Sequence, residues 1–135
     1  MKKPCLVFLL GWGVAGYASA GTVVYTVYTD HQHPPVNLAS DSHVVWLDRP
    51  EQLQQQYFAQ LSADPRQAME QAQTMLQSPQ WHEQERQIVN AWQNVIRGRA
   101  LGVQKYPAVV FDDRDVVYGT ADVAKASVLR EQHQP

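Results

Sequence analysis

Cysteine is almost missing from this chain. The only one, Cys5, lies in an N-terminal apolar stretch, and no thiol occurs from residue 21 onward. A framework of disulfides, a Cys-ligated zinc site and thiol–disulfide catalysis are therefore all excluded for that region. Long apolar runs are also missing. The longest uncharged one, residues 5–16, falls short of the roughly 20 residues a membrane-spanning helix needs. There is no Gly-x-Ser-x-Gly, no His-Glu-x-x-His and no phosphate-binding glycine loop, so the common signatures of hydrolases and nucleotide enzymes are not met. No motif calls for a cofactor, and the chain reads as a non-enzyme.

What the N-terminus does contain is ordered like an export signal. Met1-Lys2-Lys3 supplies a basic start, Cys5 to Gly16 an apolar run, and Ala18-Ser19-Ala20 a small-x-small cleavage pattern. Residues 1–20 are expected to be a signal peptide cut between Ala20 and Gly21. Cys5 precedes most of the apolar run, so it is not placed as a lipoprotein cysteine. The mature part, residues 21–135, fits a single domain able to bury a core without disulfides. Without Lys2 and Lys3, nine basic residues face thirteen acidic ones, a formal charge of −4. That balance argues against nucleic acid or an anionic membrane surface as partner. The expectation is a periplasmic protein that does not insert into the membrane after cleavage.

Residues 22–29 are β-branched and aromatic on both faces, which predicts a central strand covered on both sides. Asp30-His31-Gln32-His33-Pro34-Pro35 ends it, because consecutive prolines cannot continue a central ladder. His43 to Leu47 reads as a second strand. Pro50, then Leu53, Tyr57, Phe58 and Leu61 at helical spacing, predict a first helix. Asp64-Pro65 and Ser78-Pro79 open two more. The third helix is expected to turn Trp81, Ile88, Trp92, Val95 and Ile96 inward and to stop near Gly102. Thirteen glutamines between Gln52 and Gln93 read as a neutral solvated helix surface, with a docking face as the alternative. Pro107 to Phe111 and Val116 to Tyr118 form a β-hairpin around Asp112-Asp113-Arg114-Asp115, where aspartates serve the turn. Thr120 is expected to cap a last helix, with Asp122 in its first turn.

This order, with Tyr106-Pro107 opening the third strand, resembles a thioredoxin-like domain. The fold class expected is α/β, a central mixed sheet with β-β-helical block-β-hairpin-α order and no Cys-x-x-Cys. In that fold the proline, usually cis, faces the loop after the first strand. Here that loop reads His-Gln-His-Pro-Pro where redox members keep their cysteines. Four segments carry a narrower resemblance: Val-Tyr-Thr-Asp at 27–30, Val-Val-Trp-Leu-Asp at 44–48, Ala-Asp-Pro at 63–65, and Lys-Tyr-Pro-Ala-Val-Val-Phe-Asp-Asp-Arg-Asp-Val-Val-Tyr-Gly-Thr-Ala-Asp-Val at 105–123. Together they resemble a family of integrating conjugative element proteins, short exported proteins of unknown function found with bacterial DNA-transfer systems. The resemblance implies a type IV secretion setting and other proteins of the conjugation apparatus as partners.

Two surfaces compete for function. Tyr28, His31, His33, Tyr106 and Pro107 would form a protein-interaction groove if the loop at 30–35 faces the proline. In redox members the backbone there pairs with an extended peptide, a form of strand addition. The proline could equally be architectural alone. His31 and His33, two residues apart, could instead begin a metal site. Imidazole pairs need a third or fourth ligand, for which Asp30 or His43 would have to come close.

Because residues 21–135 carry no thiol, dithiothreitol should leave the melting temperature of the mature protein purified after export unchanged, and that protein should not reduce insulin. A reductant-dependent shift in melting would contradict the export reading and its cleavage site.

Overall fold

The structure is a computed structural model that describes residues 21–134. The expected signal peptide falls on residues 1–20 and lies outside the described residues. Among the described residues no helix is long and apolar enough to cross a membrane.

The elements follow the predicted order. Strand β1 spans Tyr25–Thr29, β2 Ser42–Trp46, β3 Ala108–Phe111 and β4 Asp115–Tyr118. Helix α1 spans Arg49–Phe58, α2 Pro65–Leu76, α3 Trp81–Ala100 and α4 Val123–His133. The strands make one mixed sheet in the order β2-β1-β3-β4. β1 runs parallel to β2 and antiparallel to β3, and β4 is antiparallel to β3. β1 is shorter than residues 22–29, since Val23 and Val24 precede it and Val24 is tied to the hairpin turn. Its N–H donates to Asp112 Oδ1 and its carbonyl accepts from the Asp112 N–H.

The two interior strands carry the core. Val27, Tyr28, Ala108, Val109, Val110 and Phe111 are at most 1% exposed. Because side chains alternate along a strand, Val27, Val109 and Phe111 point to one face, where Val123 and Ala126 of α4 close over them. Tyr28, next along the strand and paired with Ala108, points to the other face, under α3.

A parallel pair needs a crossover of about a dozen residues or more, usually a helix. Between β1 and β2 the chain uses an irregular loop instead. It is pinned halfway: Val36 donates to the Ala121 carbonyl and accepts from the Val123 N–H, and the Asn37 amide donates to Asp122. The loop thus rests on the start of α4. The cap of α4 is Asp122, which accepts from the Lys125 N–H, and not Thr120, whose Oγ1 accepts from the Asp122 N–H in a local turn. The hairpin turn places Asp112 and Asp113 at φ of 52° and 53°. Both are left-handed positions that aspartate tolerates better than most side chains.

Helix α3 ends as predicted near Gly102, which has φ 88°. Its N–H reaches the Arg99 carbonyl and the Val103 N–H reaches Gly98, the paired hydrogen bonds of a Schellman cap. The inner face of α3 differs from the expectation. Ala91 and Gly98 are its buried residues, with Trp81, Ile88 and Val95 half-buried beside them. Trp92 and Ile96 are 45% and 63% exposed. The cause lies below the helix, where the Tyr28 ring already fills the space. A Cβ added at Gly98 would sit 2.6 Å from Tyr28 Cε1, so only the smallest residues fit the line of closest approach. The bulky ones turn aside. Trp81 packs edge-on against Phe58 of α1, ring centroids 6.0 Å apart. Helix α2 follows its Asp64 cap as expected but buries no residue.

Gly98→Ala tests the contact directly. Alanine improves helix propensity by about 1 kcal/mol, but overpacking a buried ring costs about 1–3 kcal/mol. Thermal unfolding of the variant should show a net loss, because Tyr28 is 1% exposed and has nowhere to move. A raised melting temperature would mean that the ring gives way.

Candidate functional site

At the carboxyl ends of β1 and β2 the chain leaves the sheet through the 30–35 loop and through Asp48 into α1. The C-terminal end of α3 and Tyr106-Pro107 meet them there. Between these segments lies a cleft of about 300 Å³ bordered by Asp30, Asp48, Glu51, Arg99 and Tyr106, with Val95 and Gly98 among its walls. Asp30, at the start of the loop after β1, and Tyr106, before β3, thus border one cleft. The Tyr106–Pro107 bond is cis.

Asp30 organises the loop. Its Oδ1 accepts from the backbone N–H of Gln32 at 3.1 Å and of His33 at 2.9 Å, and lies 2.7 Å from His33 Nδ1. Thr29 Oγ1 closes the same turn by donating to the His33 carbonyl. Burial by itself would push the Asp30 carboxyl up, but the hydrogen bond and charge of His33 and the two backbone donors outweigh it and hold the group below the ordinary aspartate range.

His31 is held from the other side. Its Nδ1 is 2.9 Å from both oxygens of Asp48, its backbone N–H donates to Asp48 Oδ2, and the Gln52 amide reaches the same pair. The imidazole stacks on the Trp46 indole, centroids 4.2 Å apart and planes 20° off parallel. Asp48 stands at the N-cap of α1 yet makes no side-chain cap. Its carboxylate faces the histidine instead.

The structure thus separates the predicted site residues. Tyr106 is 54% exposed at the cleft. Pro107 is half-buried, and its carbonyl already accepts from the Gly119 N–H. His31 and His33 do not line the cleft; the carboxylates that hold them do. Tyr28 is a correction: it is a core residue, not a rim contact, because the strand register turns its ring under Gly98. Burial first, then the nearby Asp113 charge, raises its phenol pKa against the opposing effect of Arg97. Asp48, Glu51 and Arg99 were not singled out from the sequence. Nothing local in the sequence marks them as neighbours.

The histidines do not converge on a common point. One ring goes to Asp48 and the other to Asp30, while His43 pairs with Thr26 at the far end of the parallel strands. Among the described residues no three His, Cys, Asp or Glu side chains are grouped so as to hold a metal ion. The cleft offers carboxylates, one guanidinium and an exposed phenol, chemistry suited to polar and charged groups of a bound segment. A larger groove, about 840 Å³, lies elsewhere, between the outer edge of β4 and the last turns of α4. None of the sequence-predicted site residues lines it.

Fold and cleft together define a cysteine-free mixed α/β domain with a four-stranded sheet, helices on both faces and a polar cleft at the carboxyl end of its parallel strands. The family described as Protein of unknown function (DUF1525) matches residues 22–135, and the chain belongs to that family. No curated protein and no solved structure matches it.

A depressed carboxyl pKa stabilises the fold above the unfolded-state value, and that stability is lost as pH falls through the folded one. Asp30 contributes in this sense. So do Asp115, held down chiefly by Arg130, and Asp122, held down chiefly by Asn37. Melting temperature should therefore drop as pH falls below roughly 4. In Asp30→Asn the drop should be shallower and the neutral-pH melting temperature lower; identical acid profiles would remove Asp30 from this role.

Proposed function

We propose that the protein is a non-enzymatic, exported component of the DNA-transfer apparatus of an integrative conjugative element, built on a thioredoxin-like scaffold and acting through protein contact at the cleft. One observation carries the site: Asp30, at the start of the loop after β1, and Tyr106, before β3, both line a cleft at the carboxyl end of the parallel strands, where α/β sheets generally bind their ligands. The sheet order, with β3 and β4 antiparallel beyond a parallel β1–β2 pair, supports the scaffold reading.

The mode of contact follows from the backbone. Among the described residues nothing hydrogen-bonds the main chain of Tyr106, so an extended segment of a partner can pair there. Asp48, Glu51 and Arg99 along the cleft supply both signs of charge for its side chains. The periplasm follows from the export reading of residues 1–20, and the conjugation setting from the resemblance of residues 105–123.

Tyr106→Ala and Glu51→Ala are the informative variants, because both side chains line the cleft and are exposed. Each should leave stability within about 0.5–1 kcal/mol of wild type. In cells carrying the intact element, both should lower transfer frequency while the protein accumulates normally. Wild-type transfer from both would refute the cleft as the functional surface.

A further inference from the structure

Helix α3 presents solvent with something a monomer does not need. Val89, Trp92 and Ile96 are 45%, 45% and 63% exposed and follow one another at spacings of three and four residues. They make a single apolar line along the outside of the helix. Scattered exposed apolar residues are ordinary, but a contiguous line marks an interaction surface.

The charges at its two ends identify what covers it. Glu85 lies seven residues before Trp92 and Arg99 seven residues after it. With the apolar line they complete a 4-3-4-3 spacing, the pattern of a helix–helix seam. The other acidic and arginine side chains of α3 are engaged, Glu83 with Arg86 and Arg97 with Asp113 at 2.6 Å. Glu85 and Arg99 have no ion pair among the described residues. An antiparallel helix related by a two-fold axis at Trp92 would set Glu85 opposite Arg99 of the second copy, and Arg99 opposite its Glu85. The same axis sets Trp92 on its own copy and Val89 beside Ile96 of the second copy, one residue off register, all on the exposed line. Every layer is then apolar against apolar or acid against base. Self-complementarity of this kind is what a two-fold contact requires.

We propose that α3 is the dimerisation helix of this protein, pairing antiparallel with α3 of a second copy about Trp92. The contact does not rest on the cleft reading and shares only Arg99 with the cleft. Sedimentation equilibrium of residues 21–135 over a concentration series tests it. The wild type should show a concentration-dependent monomer–dimer equilibrium. Trp92→Glu and Ile96→Glu, both at exposed positions, should weaken it about thirtyfold or more while their melting curves stay cooperative. Glu85→Arg and Arg99→Glu should each weaken association, and the double variant should restore it, because the swapped charges still face each other. A wild type that stays monomeric at every concentration, a dimer indifferent to both apolar variants, or a double variant no better than the singles would overturn the proposal.

Discussion

The Tyr28 ring beneath Gly98 governs more of this molecule than any other single contact. Tyr28 sits on the second strand from the edge, fully buried, and its ring occupies the space that helix α3 would otherwise use. With a Cβ at Gly98 the two would overlap, so the helix rests on its smallest residues, Ala91 and Gly98. That seating fixes the rotation of α3 about its own axis. Rotation then decides which residues meet the sheet, which line the cleft and which are left outside. Gly98 and Val95 end up in the cleft wall, and Val89, Trp92 and Ile96 face solvent.

A second constraint shapes the end of the sheet where the cleft opens. Asp30 and Asp48 each follow a strand, and each holds a histidine of the intervening loop by its Nδ1. The pairs are exposed, and such pairs contribute little stability one by one. Their effect is positional. Asp30 folds the loop back on itself with three donors to one oxygen, and Asp48 draws His31 onto Trp46. The loop is anchored again at Val36 on the start of α4. A segment with no helix of its own is thereby given a defined course between two parallel strands.

The cleft and the outer face of α3 make separate claims on the same helix. Arg99 belongs to both, lining the cleft and closing the charged end of the apolar line. A partner bound at the cleft and a second copy bound along α3 would therefore be neighbours, and each surface has a measurement of its own.

Sequence reading recovered the element order, the hairpin with its aspartate turn and the Gly102 stop, because each is encoded locally. β-branched runs, proline at a helix start, glycine at its end and paired prolines after a strand all act over a few residues. The inner face of α3 was not legible. Trp92 and Ile96 look like core by hydrophobicity and spacing, and what turns them outward is a tyrosine that meets Gly98 from far away in the chain. Tyr28 itself read as a rim residue for the same reason, since strand register and not composition sends its ring inward. Asp48 as a partner of His31, and Arg99 as a wall of the cleft, likewise depend on chain segments that meet only in the fold. The amino-acid sequence by itself thus determined which elements form, where they stop, and that residues 21–135 have no thiol chemistry. Tertiary structure alone decided which faces are buried and which side chains meet, because steric exclusion at Gly98 and hydrogen bonding at Asp30 and Asp48 act between residues that local patterns cannot relate.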